Sequence, residues 1–277
     1  MNTARQIRKG AGWILIGWGM FLAALLIQAP QVTAQSEEKN SAVTMPAWLY
    51  DERKIGQEGW TELMDASQKG DLAKMEALLT AGSKVEETDQ HGVTPLYAAA
   101  LGGQVKVMEL LVAKGANVNV RIEGGRTPLT GAAWKGHALA VEFLVMHGAE
   151  VNARKYNGAT SLVTGAFEGR TEALRVLLAH GAEVNAMDEN WNTALIGAVS
   201  GGHGETVQLL LEKGANPAIK NSKDAHALYV AAVKGSFNAV RSLLDKGADV
   251  NQPGPLGATA IVPAASEGHN EIMRLLQ

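Results

Sequence analysis

Residues 94–121 read TPLYAAALGGQVKVMELLVAKGANVNVR, and the punctuation of this stretch decides the fold. Thr94 is placed to cap a helix, and Pro95 follows at the first helical position, where a missing N–H costs nothing. Leu96, Ala99 and Ala100 form a short apolar stripe, which Gly103 ends in a left-handed conformation. Val105, Val107, Met108, Leu110 and Leu111 then recur at helical spacing, and Gly115 ends this second run. Ala116-Asn117-Val118-Asn119 opens a polar turn. The unit predicted is helix–turn–helix–loop.

The same unit recurs every 33 residues on both sides. One glycine returns at Gly82, Gly115, Gly148, Gly181, Gly214 and Gly247, and a second at Gly70, Gly103, Gly136, Gly169, Gly202, Gly235 and Gly268. Six full copies (56–88, 89–121, 122–154, 155–187, 188–220, 221–253) and a shortened seventh (254–277) fit without insertion or deletion. One copy cannot bury the apolar faces of both its helices, but stacked copies can, so the expected architecture is an all-α solenoid. Ala66, Ala99, Ala132, Gly165, Ala198, Ala231 and Ala264 keep one position small throughout, which lets helices of adjacent copies approach to about 8–10 Å. At that spacing seven copies make a gently curved rod roughly 60 Å long. Polar residues at terminal slots (Glu62, Asp65 and Ser67 in the first copy, Gln277 in the last) fit end copies with one solvated side, and no further domain is expected beyond them.

These copies resemble the ankyrin repeat. Thr94-Pro95-Leu96 and Thr127-Pro128-Leu129 match that family's TPLH opening, with Thr160-Ser161-Leu162 and Thr193-Ala194-Leu195 as weaker versions. Gly136-His137, Gly202-His203 and Gly268-His269 match its Gly-His turn. Gly115-Ala116-Asn117-Val118-Asn119, Gly148-Ala149-Glu150-Val151-Asn152 and Gly247-Ala248-Asp249-Val250-Asn251 match its GADVN loop. The chain departs from the pattern in four ways. The TPLH histidine is replaced by Tyr97, Thr130, Val163, Ile196 and Tyr229; His226 stands where other copies have the capping threonine; Pro263 falls inside the last copy's first helix, where it removes a backbone bond and threatens a kink. Trp191 replaces the loop glycine of Gly92, Gly125, Gly158 and Gly257.

Ahead of the repeats, Arg5, Arg8 and Lys9 precede an uncharged apolar run, residues 10–27, and then Pro30 and Val32-Thr33-Ala34-Gln35. Residues 1–34 read as an export signal cleaved after Ala34, with an uncleaved membrane anchor as the alternative. Residues 35–55 read as a polar tether ending in an apolar docking segment, Pro46-Ala47-Trp48-Leu49-Tyr50. Removing residues 1–34 takes away three bases and no acids, leaving 22 basic against 28 acidic residues, a net charge of −6. With no cysteine and no N-x-[ST] site, the chain suits a bacterial periplasm or the medium beyond it.

The composition excludes thiolate catalysis, cysteine-ligated metals and disulfides. The acidic mature chain with dispersed bases argues against nucleic acid. No phosphate-binding loop, zinc-protease helix, nucleophile elbow or EF-hand loop occurs, so no cofactor and no metal are expected. His137, His203 and His269 read as hydrogen-bonded turn residues. His147 and His180, one repeat apart at roughly 10 Å, are too distant to share an ion.

The resemblance implies a monomeric, non-enzymatic module that binds another protein through loop tips and the exposed side of the first helices. Carried onto this chain, the contact patch lies in repeats two to five and is centred on Trp134 and Phe167, with Leu101, Lys135, Arg121, Arg126, Arg154, Tyr156 and Trp191 around them, because aromatic rings with arginine make binding hot spots. The alternative is that these rings pack within the stack. In function the chain reads as a scaffold, inhibitor or stabiliser of an envelope protein. A secreted effector that binds host proteins is the second reading, and an enzyme acting on glycans or peptides the third.

Overall fold

The computed structural model describes residues 59–277; the export segment 1–34 and the tether 35–55 lie outside the described residues. Among the described residues there are fourteen α-helices and no strands. They fall into seven hairpins: α1 (Glu62–Lys69) with α2 (Leu72–Thr80), α3 (Pro95–Gly102) with α4 (Val105–Ala113), α5 (Pro128–Lys135) with α6 (Ala138–Met146), α7 (Ser161–Phe167) with α8 (Thr171–Ala179), α9 (Ala194–Gly201) with α10 (Gly204–Glu212), α11 (Ala227–Val233) with α12 (Phe237–Asp245), and α13 (Ile261–Ser266) with α14 (Asn270–Leu275). Each odd helix packs on the next odd helix and, from α4 onward, each even helix on the next even one, so the hairpins form two stacked helical layers in chain order. This is the solenoid that the period of the sequence predicts. None of the described helices is long and apolar enough to cross a membrane.

The caps are those expected. Thr61, Thr94, Thr127, Thr160 and Thr193 each accept a hydrogen bond from the backbone N–H three residues on, which satisfies one of the orphan donors of the first turn. The odd helices have neighbours before, after and behind them. They are therefore apolar around most of their circumference, and every residue of 95–101, 128–134, 161–167 and 227–233 is buried. The even helices are covered on one side only and bury a stripe, such as Val107, Met108 and Leu111 of α4. All seven small residues of the repeated Ala/Gly position are buried.

Large and small residues interlock from one odd helix to the next. A Cβ on Gly197 would lie 2.7 Å from the ring of Phe167, and one on Gly131 would lie 3.3 Å from Leu101 and 3.4 Å from the Tyr97 ring. A bulky side chain near the end of one odd helix thus fills the gap left by a glycine in the following one, which is how a stack of short helices reaches close packing.

Two expectations at the ends are corrected. Ser67 is buried rather than solvated, and its hydroxyl donates to the Leu63 carbonyl at 2.5 Å. Pro263 does not kink an established helix; it delays one. In the other repeats the equivalent N–H donates to the carbonyl of the capping residue, as Gly131 does to Thr127 and Val230 to His226. Pro263 has no N–H to give, Val262 bonds to the Thr259 carbonyl instead, and α13 starts late, at Ile261, without a side-chain cap.

Candidate partner-binding surface

Between the hairpins the loops build a second, continuous layer. Each closes a tight turn through an N–H to a carbonyl three residues back: Gly92 to Asp89, Gly125 to Ile122, Gly158 to Lys155, Trp191 to Asp188, Asp224 to Asn221 and Gly257 to Gly254, all between 2.9 and 3.1 Å. Adjacent turns are tied by one backbone bond each, from Glu123 to His91 (3.0 Å), Tyr156 to Gly124 (3.0 Å), Glu189 to Asn157 (3.0 Å) and Ser222 to Asn190 (2.8 Å). The next residue in this register is Pro255, which has no N–H, and the series stops there.

Asparagines make a parallel series further along the loops. Asn119 Nδ2 donates to the Gly148 carbonyl (2.9 Å) while its Oδ1 accepts from the Glu150 N–H (2.9 Å), and Asn152 repeats both bonds with Gly181 (3.1 Å) and Glu183 (2.9 Å). Arg121 and Arg154 each donate to a carbonyl one repeat on, that of Arg154 and of Met187 respectively, both at 2.8 Å. The two arginines are therefore staples between loops, with their remaining guanidinium edges half exposed toward Glu150 and Glu183 at 3.9 Å.

The structure separates the residues that the sequence grouped together. Phe167 is 2% exposed and Trp134 8%, and Leu101 is likewise buried. Their place one or two residues before the helix-ending glycine brings them against the next odd helix rather than toward a partner. Trp134 and Leu101 share an apolar cluster with Met64, Tyr97 and Ile122, against which Trp60 packs. The patch centred on Trp134 and Phe167 is accordingly corrected: both rings belong to the core of the stack. Arg126 is corrected with them, since it is buried and folds back so that Nη1 donates to the Glu123 carbonyl at 2.9 Å. Lys135 stays exposed, with its ammonium 3.9 Å from the centroid of the Trp134 ring, a cation–π contact on the ring's face.

Tyr156 and Trp191 behave differently. Tyr156 is 72% exposed and Trp191 59%. Both stand at turn tips with Met187 exposed near them in sequence. Beside Trp191 lies an open cleft of about 560 Å³, lined by Arg154, Glu183, Val184, Met187 and Asp188 among others. Trp191 also has φ 58°, in the left-handed region where the equivalent positions Gly92, Gly125, Gly158 and Gly257 pay no steric penalty. Asp188 holds it there. Its buried carboxylate accepts from the N–H groups of Asn190 (2.9 Å) and Asn192 (2.8 Å) and from the Asn192 amide (3.3 Å), while its carbonyl accepts from the Trp191 N–H. Burial pushes the Asp188 carboxyl above the usual carboxylate range, and the bonds from Asn192 and Asn190 oppose that shift. Asn192 Oδ1 in turn accepts from Asn221 Nδ2 at 3.3 Å, which fixes this turn to the next one. Met187 and Asp188 were not singled out from the sequence; the signal for both was their place in the turn that carries the one non-glycine aromatic residue of the series.

Models of ankyrin repeats match residues 63–155 (three copies), 162–211 (many copies) and 223–255 (a single repeat). The chain belongs to the ankyrin repeat family. Among solved structures, the crystal structure of the human ASB11 ankyrin repeat domain is similar to it, with 27% identity and a TM-score of 0.71 over 78% of this chain and 98% of that chain. No curated protein matches the chain. Ankyrin repeats are protein–protein interaction modules, and the loop layer of this one offers exposed rings on a rigid scaffold. Among the described residues no group of three or more His, Asp or Glu side chains is placed to hold a metal ion. His137 and His203 are turn residues, each reaching a carbonyl 36 positions earlier, of Leu101 and of Phe167, at 3.0 Å. His147 bonds the Phe143 carbonyl at 2.8 Å and stacks on its ring.

Proposed function

We propose that this ankyrin repeat chain is an exported, non-enzymatic adaptor. It grips a partner protein with the turn tips of its third to fifth repeats and scaffolds, inhibits or stabilises that partner in the periplasm or cell envelope. The observation that carries the reading is Trp191: a bulky ring, mostly exposed, in a left-handed backbone conformation that glycine serves at four equivalent turns and the small Asp224 at a fifth. Strain held in place by a buried carboxylate, with little burial in return, is what a functional contact looks like. Tyr156 one repeat earlier and Met187 add apolar area beside it, and Arg154 adds a guanidinium edge, the composition of a binding hot spot. Export is supported by Arg5, Arg8 and Lys9 followed by the uncharged run 10–27.

Affinity capture from the envelope fraction with residues 35–277 tests the surface. Tyr156→Ala combined with Trp191→Gly abolishes capture of whatever the unaltered chain retains, while the helical signal stays the same. Equal capture by the double variant sinks the assignment of the surface. Fractionation tests the location: protein in the periplasm supports the adaptor, and protein in the medium supports the secreted effector instead.

A further inference from the structure

We infer that His226 makes the sixth repeat an acid-sensitive joint: a neutral imidazole caps α11, and a proton on its Nδ1 releases the cap. In five other repeats a threonine hydroxyl does this work, and a hydroxyl does not titrate in the physiological range. His226 Nδ1 accepts from the Tyr229 N–H at 3.4 Å, and Nε2, which then carries the proton, donates to the Gln252 carbonyl at 3.1 Å. Both ring nitrogens are thereby committed. A second proton would place an N–H against the Tyr229 N–H. The side chain is 1% exposed, so no solvent is at hand to accept it. The imidazolium must leave its place, and the first turn of α11 loses its cap.

The charges that act on the ring come from both flanking loops: Lys220 and Asp224 before α11, and Asp249 after α12. The neighbouring odd helices α9 and α13 carry no titratable side chain, and Arg241 and Asp245 of α12 are exposed. Burial is the largest influence and pushes the imidazole below its ordinary value of 6.5, the Gln252 bond opposing it. The sign follows. Between the lowered folded value and 6.5 the unfolded form binds a proton that the folded form does not. The contribution of His226 is fully present above pH 6.5 and is lost as pH falls toward the folded value.

The junction with the fifth repeat makes local opening possible. At other junctions a side chain just ahead of the even helix bonds back to the preceding odd helix, as Gln104, His137, Arg170, His203 and His269 do. Ser236 holds that place in the sixth repeat, makes no side-chain cap, and leaves open space around Gly202 where a Cβ would meet nothing within 4 Å.

Hydrogen exchange of the full chain at pH 7.5 and 5.5, corrected for the intrinsic pH dependence of exchange, tests this. An open form with an ordinary imidazole gains population as the pH falls over those two units, with about tenfold as the upper limit. Residues 221–253 of the unaltered chain therefore exchange faster at pH 5.5, by up to about tenfold, while His226→Thr and His226→Asn keep the same protection at both pH values. Equal acceleration in the two variants, or none in the unaltered chain, overturns the inference. Loss of α11 protection in both variants already at pH 7.5 also overturns it, because Thr and Asn would then fail to replace the imidazole as cap.

Discussion

Trp191 and Phe167 are both aromatic residues of the same stack, and they play opposite parts. Trp191 is exposed and strained at φ 58°; Phe167 is buried in a regular helix against Gly197. A left-handed conformation costs an L-residue about 1–2 kcal/mol, which glycine avoids. Trp191→Gly should therefore raise stability by about 1 kcal/mol, read from the urea midpoint, since the exposed ring has little packing to lose. Phe167→Ala leaves a cavity against a glycine that cannot fill it and should lower stability by about 3–5 kcal/mol. A stable Phe167→Ala would return that ring to the surface account. Sequence position alone could not separate the two residues. Phe167 sits where an ankyrin chain can present a contact residue, and what settles its fate lies thirty positions on. Gly197 in the interior of a helix carries a penalty of about 1 kcal/mol relative to alanine, and such a glycine signals a bulky neighbour filling its space. Trp191, by contrast, is legible as an exception because it puts a large ring in a register held by glycine at four loop tips and by Asp224 at a fifth.

At the scale of the helix pair, the device that joins hairpins is a side chain reaching back across 36 positions. His203 Nε2 bonds the Phe167 carbonyl at the C-terminal end of α7 at 3.0 Å. Its ring also fills the space beside Gly169, where a Cβ would fall 2.4 Å from Nδ1 and where φ is 66°. The glycine is thus required twice, for its backbone conformation and for the ring of the following repeat. His203→Ala should cost about 1 kcal/mol, the net worth of one hydrogen bond. Gly169→Ala should cost more, since it adds left-handed strain to a clash, and thermal melts of the two variants order them. If Gly169→Ala is the milder change, the ring does not occupy that space in solution. Helix boundaries were readable here from Thr94, Pro95 and Gly103 because caps are local chemistry. The function of the Gly-His turn was readable only as hydrogen bonding in general. Its acceptor belongs to another repeat, and the same place is filled by Gln104 and Arg170, which no histidine motif would find.

Across the whole stack, stability is a sum of hairpins and of the interfaces between neighbours, so it need not be uniform. Repeats two to five (89–220) have capped odd helices, tied turns and a side-chain bond back at each internal junction. The seventh repeat lacks most of these. Pro255 ends the series of turn-to-turn bonds, Pro263 deletes the first helical bond, α13 has six residues without a side-chain cap, and the His269 bond to Val233 is long at 3.4 Å. The period of the sequence predicts six full copies and a shortened seventh, and the two prolines show a further way in which the last differs: each removes a donor that the other repeats use. Hydrogen exchange at neutral pH should therefore show a gradient. Amides of α13 and α14 exchange by local opening, at least tenfold faster than those of α5, α7 and α9, whose exchange approaches the global limit. A uniform rate along the chain would mean that the interface between sixth and seventh repeats is as strong as those inside the stack, and that the missing donors are compensated elsewhere. Trp191→Gly, which relieves strain inside the cooperative unit, should slow the amides of α5, α7 and α9 by about fivefold and leave those of α13 and α14 unchanged, so that the gradient steepens. An unchanged gradient would place the strained tip outside the cooperative core, where a surface devoted to a partner can vary without unfolding the repeats that carry it.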